Sequence, residues 1–188
     1  MARYLTNPLI ALIEASLPDN STGEITPAIV RQLLVDMVES LRPTGAYLAN
    51  GNTITHTFST TNWEVVPGVF TSGETRDATE IGVNVGANSF TALFSADYNS
   101  EVSVTIAGGA SEVIDLAIGV NGVPTTFFRV EAQMLGATEP VSVNMTAYNA
   151  LAAGDVVTLM MASRTAPANG VVIGPAGFIF RLIPSRGV

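Results

Sequence analysis

Apolar residues recur along this chain at two different periods, and the change of period divides it. Leu9, Ile10, Leu12, Ile13 and Leu17 fall mostly on one helical stripe, with Asn7 placed to cap and Pro8 in the first turn. Pro18 ends that stripe, and Pro18-Asp19-Asn20-Ser21-Thr22-Gly23 is a dense turn signal. Thr26-Pro27 repeats the cap-plus-proline device before Ile29, Val30, Leu33, Leu34, Met37, Val38 and Leu41, again spaced by three and four. Two amphipathic helices joined by a turn are predicted. Each is too short to be stable alone in water, so its stripe needs a partner. Arg42-Pro43-Thr44-Gly45 stops the second helix, which sets residues 1–43 as a helical module and 46–188 as a second domain.

From Ala46 onward, β-branched and aromatic runs alternate with turns at intervals of about ten residues, the habit of a sandwich or barrel. Strands are expected near Thr53–Phe58, Trp63–Val66, Glu80–Val85, Ser89–Phe94, Glu101–Ala107, Ser111–Val120, Thr125–Leu135, Val141–Tyr148, Val156–Ala162 and Phe178–Pro184. Glu101 to Ile106 alternates cleanly, placing Val102, Val104 and Ile106 on one face. Val120-Asn121-Gly122-Val123 is a hairpin signal, because Asn-Gly accepts the positive φ of a two-residue turn. In Tyr148–Met161 a small-residue Ala-Ala-Gly-Asp centre precedes an apolar run from Val156, which reads as a turn followed by a core strand. No fixed repeat appears, so one antiparallel sandwich fits better than a solenoid or propeller.

Composition narrows the function classes. The 188 residues are 47% hydrophobic and only 13% charged, which suits one main core and more contact surface than a lone monomer needs, so an oligomer is expected. The net charge of −8, with arginine as the sole base, disfavours nucleic acid as a partner. There is no cysteine for disulfides or a thiolate metal site. No run of about eighteen apolar residues exists to cross a membrane, and the first residues do not read as a secretory signal.

The search for chemistry yields little. His56 is the single histidine and is expected on the solvent side of its strand, opposite Ile54 and Phe58; no Gly-x-Ser-x-Gly elbow supports a triad around it. Asp97, Glu101, Glu112, Asp115 and Glu131 supply carboxylates, but nothing in the spacing pairs any two for hydrolysis, so a solvated surface is the expectation. Gly82 to Asn88 and Gly108-Gly109-Ala110 lack the strand-to-helix setting of a phosphate cradle. No Asp-x-Asp-x-Asp-Gly calcium loop occurs, and Asp97-Tyr98-Asn99 would recruit an ion only if a loop folded back; the sequons at Asn20 and Asn144 read as turn and strand residues. No enzyme, no cofactor and no metal are expected.

Two resemblances add to this. Leu151 to Met161, followed by Gly177-Phe178-Ile179-Phe180-Arg181-Leu182-Ile183, resembles the last two strands of C1q and tumour-necrosis-factor-like jelly rolls. Asn7-Pro8-Leu9, Pro18-Asp19-Asn20-Ser21-Thr22-Gly23-Glu24-Ile25-Thr26-Pro27 and on to Asp36-Met37-Val38 and Ser40 look like the helical segment opening many tailed-bacteriophage virion proteins. Head fibres and tail-fibre subunits are among them, and in them the segment precedes a trimeric β-rich tip. Phe58-Ser59-Thr60-Thr61-Asn62-Trp63 with Val69-Phe70 resembles the opening strand of such tips. A collagen-like stalk and a long coiled coil are both missing, which makes the expected object a short knob.

The resemblances imply a mainly β protein, an antiparallel jelly-roll sandwich preceded by a helical hairpin, assembled as a homotrimer. They imply a structural virion protein, a head fibre or capsid decoration assembled in the host cytoplasm and held on the major capsid protein or another virion component. Leu9, Ile13, Leu17, Val30, Leu33, Met37, Val38 and Leu41 would form the anchor and its oligomer contacts, and Tyr148, Phe178 and Phe180 the trimer seam of the tip. The alternative is a receptor-binding tail tip touching host glycans through Asn50-Gly51-Asn52, Gly86-Ala87-Asn88 and Pro167-Ala168-Asn169-Gly170.

Overall fold

The computed structural model describes residues 29–30, 32–35, 37, 45–75, 78, 80–109, 111–134, 139–164 and 168–183. The chain parts into two compact units, residues 1–43 with 183–188, and residues 44–182. In the first, Ile29, Val30, Gln32 to Val35 and Met37 are helical. Leu33 is buried there, whereas Val30, Leu34 and Met37 are exposed. Leu9, Ile13, Leu17, Val38 and Leu41 lie outside the described residues, as does the expected first helix with its turn.

The second unit is two antiparallel sheets face to face. The strands are β1 (Gly45–Asn50), β2 (Ile54–Phe58), β3 (Ser72–Thr75), β4 (Ile81–Asn84), β5 (Ser89–Ala92), β6 (Ala96–Ala107), β7 (Val113–Val120), β8 (Val123–Gln133), β9 (Val141–Leu151), β10 (Val156–Ser163) and β11 (Ala168–Ile183). One sheet runs β3-β1-β11-β6-β9, with β2 also on β11; the other runs β4-β5-β10-β7-β8. From β6 to β11 the chain changes sheet at every connection except the β7–β8 hairpin, which is the jelly-roll path. Along β6 and β9 side chains alternate between the core and the outer face, so the polar residues between Val102, Val104 and Ile106 point outward as expected.

The core sits between the sheets. Leu48, Phe58, Ile81, Phe90, Tyr98, Ile106, Ile114, Leu116, Ile118, Phe178 and Phe180 are all wholly buried. Burial of side chains this large is the main stabilising term, about 1.5–3 kcal/mol each before entropy is counted.

Several strands depart from expectation. Trp63–Val66 is not a strand: a single bridge joins Glu64 to Met161, so the segment only extends the edge of β10. β11 begins ten residues before the expected Phe178, because β2 and β1 line one of its edges end to end. Where they meet, Gly174 has φ 113°, and a Cβ there would run into the carbonyl oxygen of Asn52. β1 and β3 had no periodic signal in the sequence. His56 faces inward, on the same side as Ile54 and Phe58, since strand residues two apart share a face. Its Nε2 lies 2.7 Å from Glu64 Oε1, which ties β2 in one sheet to the edge of β10 in the other.

Candidate interaction surfaces

Four of the five candidate carboxylates, Glu101, Glu112, Asp115 and Glu131, are held in structural contacts. Asp115 and Glu131 are cross-strand partners that share Arg164, whose guanidinium pairs with Asp115 at 2.9 Å and Glu131 at 2.7 Å. The hydrogen bond to Asp115, first among the causes, pushes the Arg164 pKa up. Glu101 pairs with Arg181 at 2.8 Å, and Glu112 accepts the Gly109 N–H at 2.7 Å to close its own loop. Asp97-Tyr98-Asn99 lies within β6 with Tyr98 turned into the core, so it forms no ion-binding loop. Among the described residues no three His, Asp or Glu side chains gather to hold a metal ion. Among them, too, no helix is long and apolar enough to cross a membrane.

The three residues expected at a trimer seam fall in two different environments. Phe178 and Phe180 are 0% exposed within one protomer, packed against Phe90 from the opposite sheet at 4.9 and 5.2 Å. They belong to the protomer's own core and have no surface left for a neighbour. Tyr148 is different: it is 63% exposed, on the outer face of β9 opposite Asn99. Register adds Tyr47, which stands on the same outer face between Ile179 and Glu74 and is 43% exposed. Its hydroxyl donates to Glu74 at 3.2 Å, and this bond raises the Tyr47 pKa. No periodic signal marks Tyr47, because β1 is short and its burial alternates between small and large residues.

The edges of the sheets differ sharply. β3 and β4 are four residues long, and β8 carries Pro124, Arg129 and Glu131. Short strands, prolines and charges are the usual guards against strand-to-strand association. β9 has none of them: Val-Ser-Val-Asn-Met-Thr-Ala-Tyr-Asn-Ala-Leu is eleven residues long and carries no charge and no proline.

One end of the sandwich is a stapled platform. Asn121 and Gly122 both have positive φ, 51° and 77°, so the Asn-Gly hairpin joins β7 and β8 as expected. The Asn121 carboxamide donates to Asp155 Oδ1 at 2.7 Å and accepts the Val156 N–H at 2.9 Å. Asp155 Oδ2 accepts the Ala152 N–H at 2.8 Å, while Gly154 N–H donates to the Ala92 carbonyl at 2.7 Å. Three loops are thereby locked together; Leu93 and Phe94 stand exposed on them, and Val123 is exposed at the start of β8. Gly-Asp was legible as a turn, but its partner Asn121 is 34 residues away in sequence.

In two of the loops expected to meet glycans the asparagine at one end is buried and held by structural hydrogen bonds. Asn50 is buried, with its Oδ1 accepting from Asn52 N–H and Thr71 and its Nδ2 donating to the Gly68 carbonyl. Asn88, also buried, donates to the Val66 carbonyl and accepts the Phe70 N–H. Both asparagines hold the 66–71 crossover in place. Gly51, Asn52, Gly86, Ala87 and Gly170 remain exposed.

Comparison with solved structures places this architecture. The globular domain of zebrafish complement 1qA protein aligns with a TM-score of 0.50 at 16% identity, over 76% of this chain and 98% of that one. Crystal structures of murine APRIL at pH 8.0 and pH 5.0 align with TM-scores of 0.51, at 12% and 14% identity, over 76% of this chain and 100% of theirs. The fold is a C1q/TNF-like jelly roll. No family model and no curated protein sequence matches the chain. The likeness is therefore one of fold, carried by the two five-strand paths and not by shared residues.

Proposed function

We propose that this chain is a non-enzymatic, homotrimeric structural protein of a tailed-bacteriophage virion, a short head fibre or capsid decoration. Residues 1–43 attach it to the major capsid protein or another virion component, and the jelly roll projects as the tip. The observation that carries the trimer is the unguarded β9 edge beside an outer face bearing Tyr47 and Tyr148. An edge and a face are different patches, so contact between them is heterologous; it closes only as a ring, and three subunits make the smallest one. The C1q/TNF-like fold supports this reading. The phage role rests on the helical segment through Pro18-Asp19-Asn20-Ser21-Thr22-Gly23 and on the exposed Val30, Leu34 and Met37 that follow it.

Light scattering on the full chain tests the assembly: a trimer is expected at micromolar concentration, and a monomer overturns it. Deleting residues 1–43 should leave a folded trimer that no longer joins particles. Negative-stain imaging of virions carrying a labelled copy then separates the two virion sites. Signal on the head supports decoration, whereas signal on the tail favours a receptor-binding tip contacting host glycans through exposed loops such as Gly51-Asn52.

A further inference from the structure

Asn-Gly steps are chemically labile, because glycine leaves its backbone nitrogen unhindered next to an asparagine carboxamide. The Gly122 nitrogen can attack Asn121 Cγ: the N–Cγ bond forms, the Cγ–Nδ2 bond breaks, and the amide proton leaves with Nδ2 as ammonia. Water then opens the cyclic imide to aspartate or isoaspartate, so the net change is one water in and one ammonia out. Of the two Asn-Gly steps whose asparagine side chains are described, Asn50 is buried and held through three partners. Asn121 stands exposed on a two-residue turn.

In the folded chain this reaction is opposed by geometry. Attack requires Cγ to swing over Gly122, yet both terminal atoms of the carboxamide are turned toward β10. Nδ2 is bound to Asp155 Oδ1 at 2.7 Å, Oδ1 accepts the Val156 N–H at 2.9 Å, and Asn121 N–H donates to the Val156 carbonyl at 2.8 Å. The leaving nitrogen is the atom that Asp155 holds. Once the reaction has run, the same atom is an oxygen, and two carboxylates face each other where a hydrogen bond stood, which is repulsive.

We propose that Asn121–Gly122 is a spontaneous-modification site whose hydrolytic deamidation the Asp155 carboxylate holds off in the folded protein, and that conversion of Asn121 to aspartate keeps this end of the sandwich from closing again. The device is one-way: a transient opening of the three-loop staple becomes permanent by chemistry. It does not depend on the virion reading, since it uses only groups within the jelly roll.

The test follows deamidation of the full chain by peptide mass spectrometry during incubation at mildly alkaline pH. The folded wild type should react at least about tenfold more slowly than the same chain in urea, since only locally opened molecules can react. Asp155→Ala, shown to be folded by circular dichroism, should move most of the way to the urea rate. Equal rates for folded and unfolded wild type, or a folded Asp155→Ala that reacts like wild type, overturn the guard. The one-way step is read separately by thermal melting. Asn121→Asp should lower the melting temperature, and the exchanged pair Asn121→Asp with Asp155→Asn, which restores a donor opposite an acceptor, should recover it. A single Asn121→Asp as stable as the exchanged pair overturns that half. This comparison stands even if Asp155→Ala does not fold.

Discussion

Tyr98 and Phe180 stack 4.8 Å apart and within 2° of parallel, on neighbouring strands of the same sheet. Phe90, from the opposite sheet, is the second ring stacked on Phe180, at 5.2 Å and 10°. This stack ties the two sheets together, and Tyr98 anchors its end by donating to the Phe94 carbonyl at 3.0 Å. Burial, the leading cause, raises the Tyr98 pKa, which keeps the hydroxyl a donor.

Phe180→Ala should therefore cost about 3–5 kcal/mol of protomer stability, the range for removing a buried phenyl ring. Urea unfolding monitored by circular dichroism measures this. A loss below about 1 kcal/mol would mean that the stack does not support the core.

Tyr148→Glu places a charge on the uncharged β9 strand without touching the core. The protomer should change stability by no more than about 0.5 kcal/mol, as exposed positions usually do. The proposed trimer should weaken at least about tenfold, with Tyr47→Glu acting in the same direction. Sedimentation equilibrium across a dilution series reads both, and unchanged association would move the seam off this face.

Asp155 is expected to make stability pH-dependent at the acid end. The hydrogen bond from Asn121, and after it the one from the Ala152 N–H, holds its carboxyl below the ordinary range. A lowered folded-state pKa means stabilisation that is present above the unfolded value and lost as pH falls through the folded one. The melting-temperature gap between wild type and Asp155→Ala should stay constant from about pH 8 to about pH 5 and close below about pH 4. A gap that persists into strong acid would show that the carboxylate's charge is not what the staple uses.

Gly174→Ala should be among the most damaging small substitutions in the chain. The position needs φ 113°, and the added Cβ meets backbone, the Asn52 carbonyl, which cannot rotate away. Strain and overpacking together suggest a loss of about 3 kcal/mol. Gly122→Ala also sits at positive φ but meets nothing within 4 Å, so it should cost clearly less. Paired denaturation curves compare them directly.

Much of this was legible before any fold was known. Period-two alternation from Val102 to Ile106 placed those side chains in the core, and Asn121-Gly122 marked the β7–β8 hairpin, because both are local consequences of backbone geometry. The Gly-Asp turn before β10 and the antiparallel sandwich itself followed from the same spacing rules. His56 was expected on the solvent side and instead shares the inner face with Ile54 and Phe58, because strand residues two apart point the same way.

Tertiary structure decided the rest. An aromatic in an apolar closing strand reads the same whether it faces its own core or a neighbour; only the opposing sheet, bringing Phe90 against Phe178 and Phe180, assigns them to the core. Likewise β1 and β3 are strands because β11 offers an edge to pair with, and Asn50, Asn88 and Asp155 are structural because their partners arrive from distant segments. Sequence alone determined the local periods, the turns and the absence of charge along β9. Which faces those periods bury, and which edge is left unguarded, depends on contacts between residues far apart in the chain, and no local pattern encodes them.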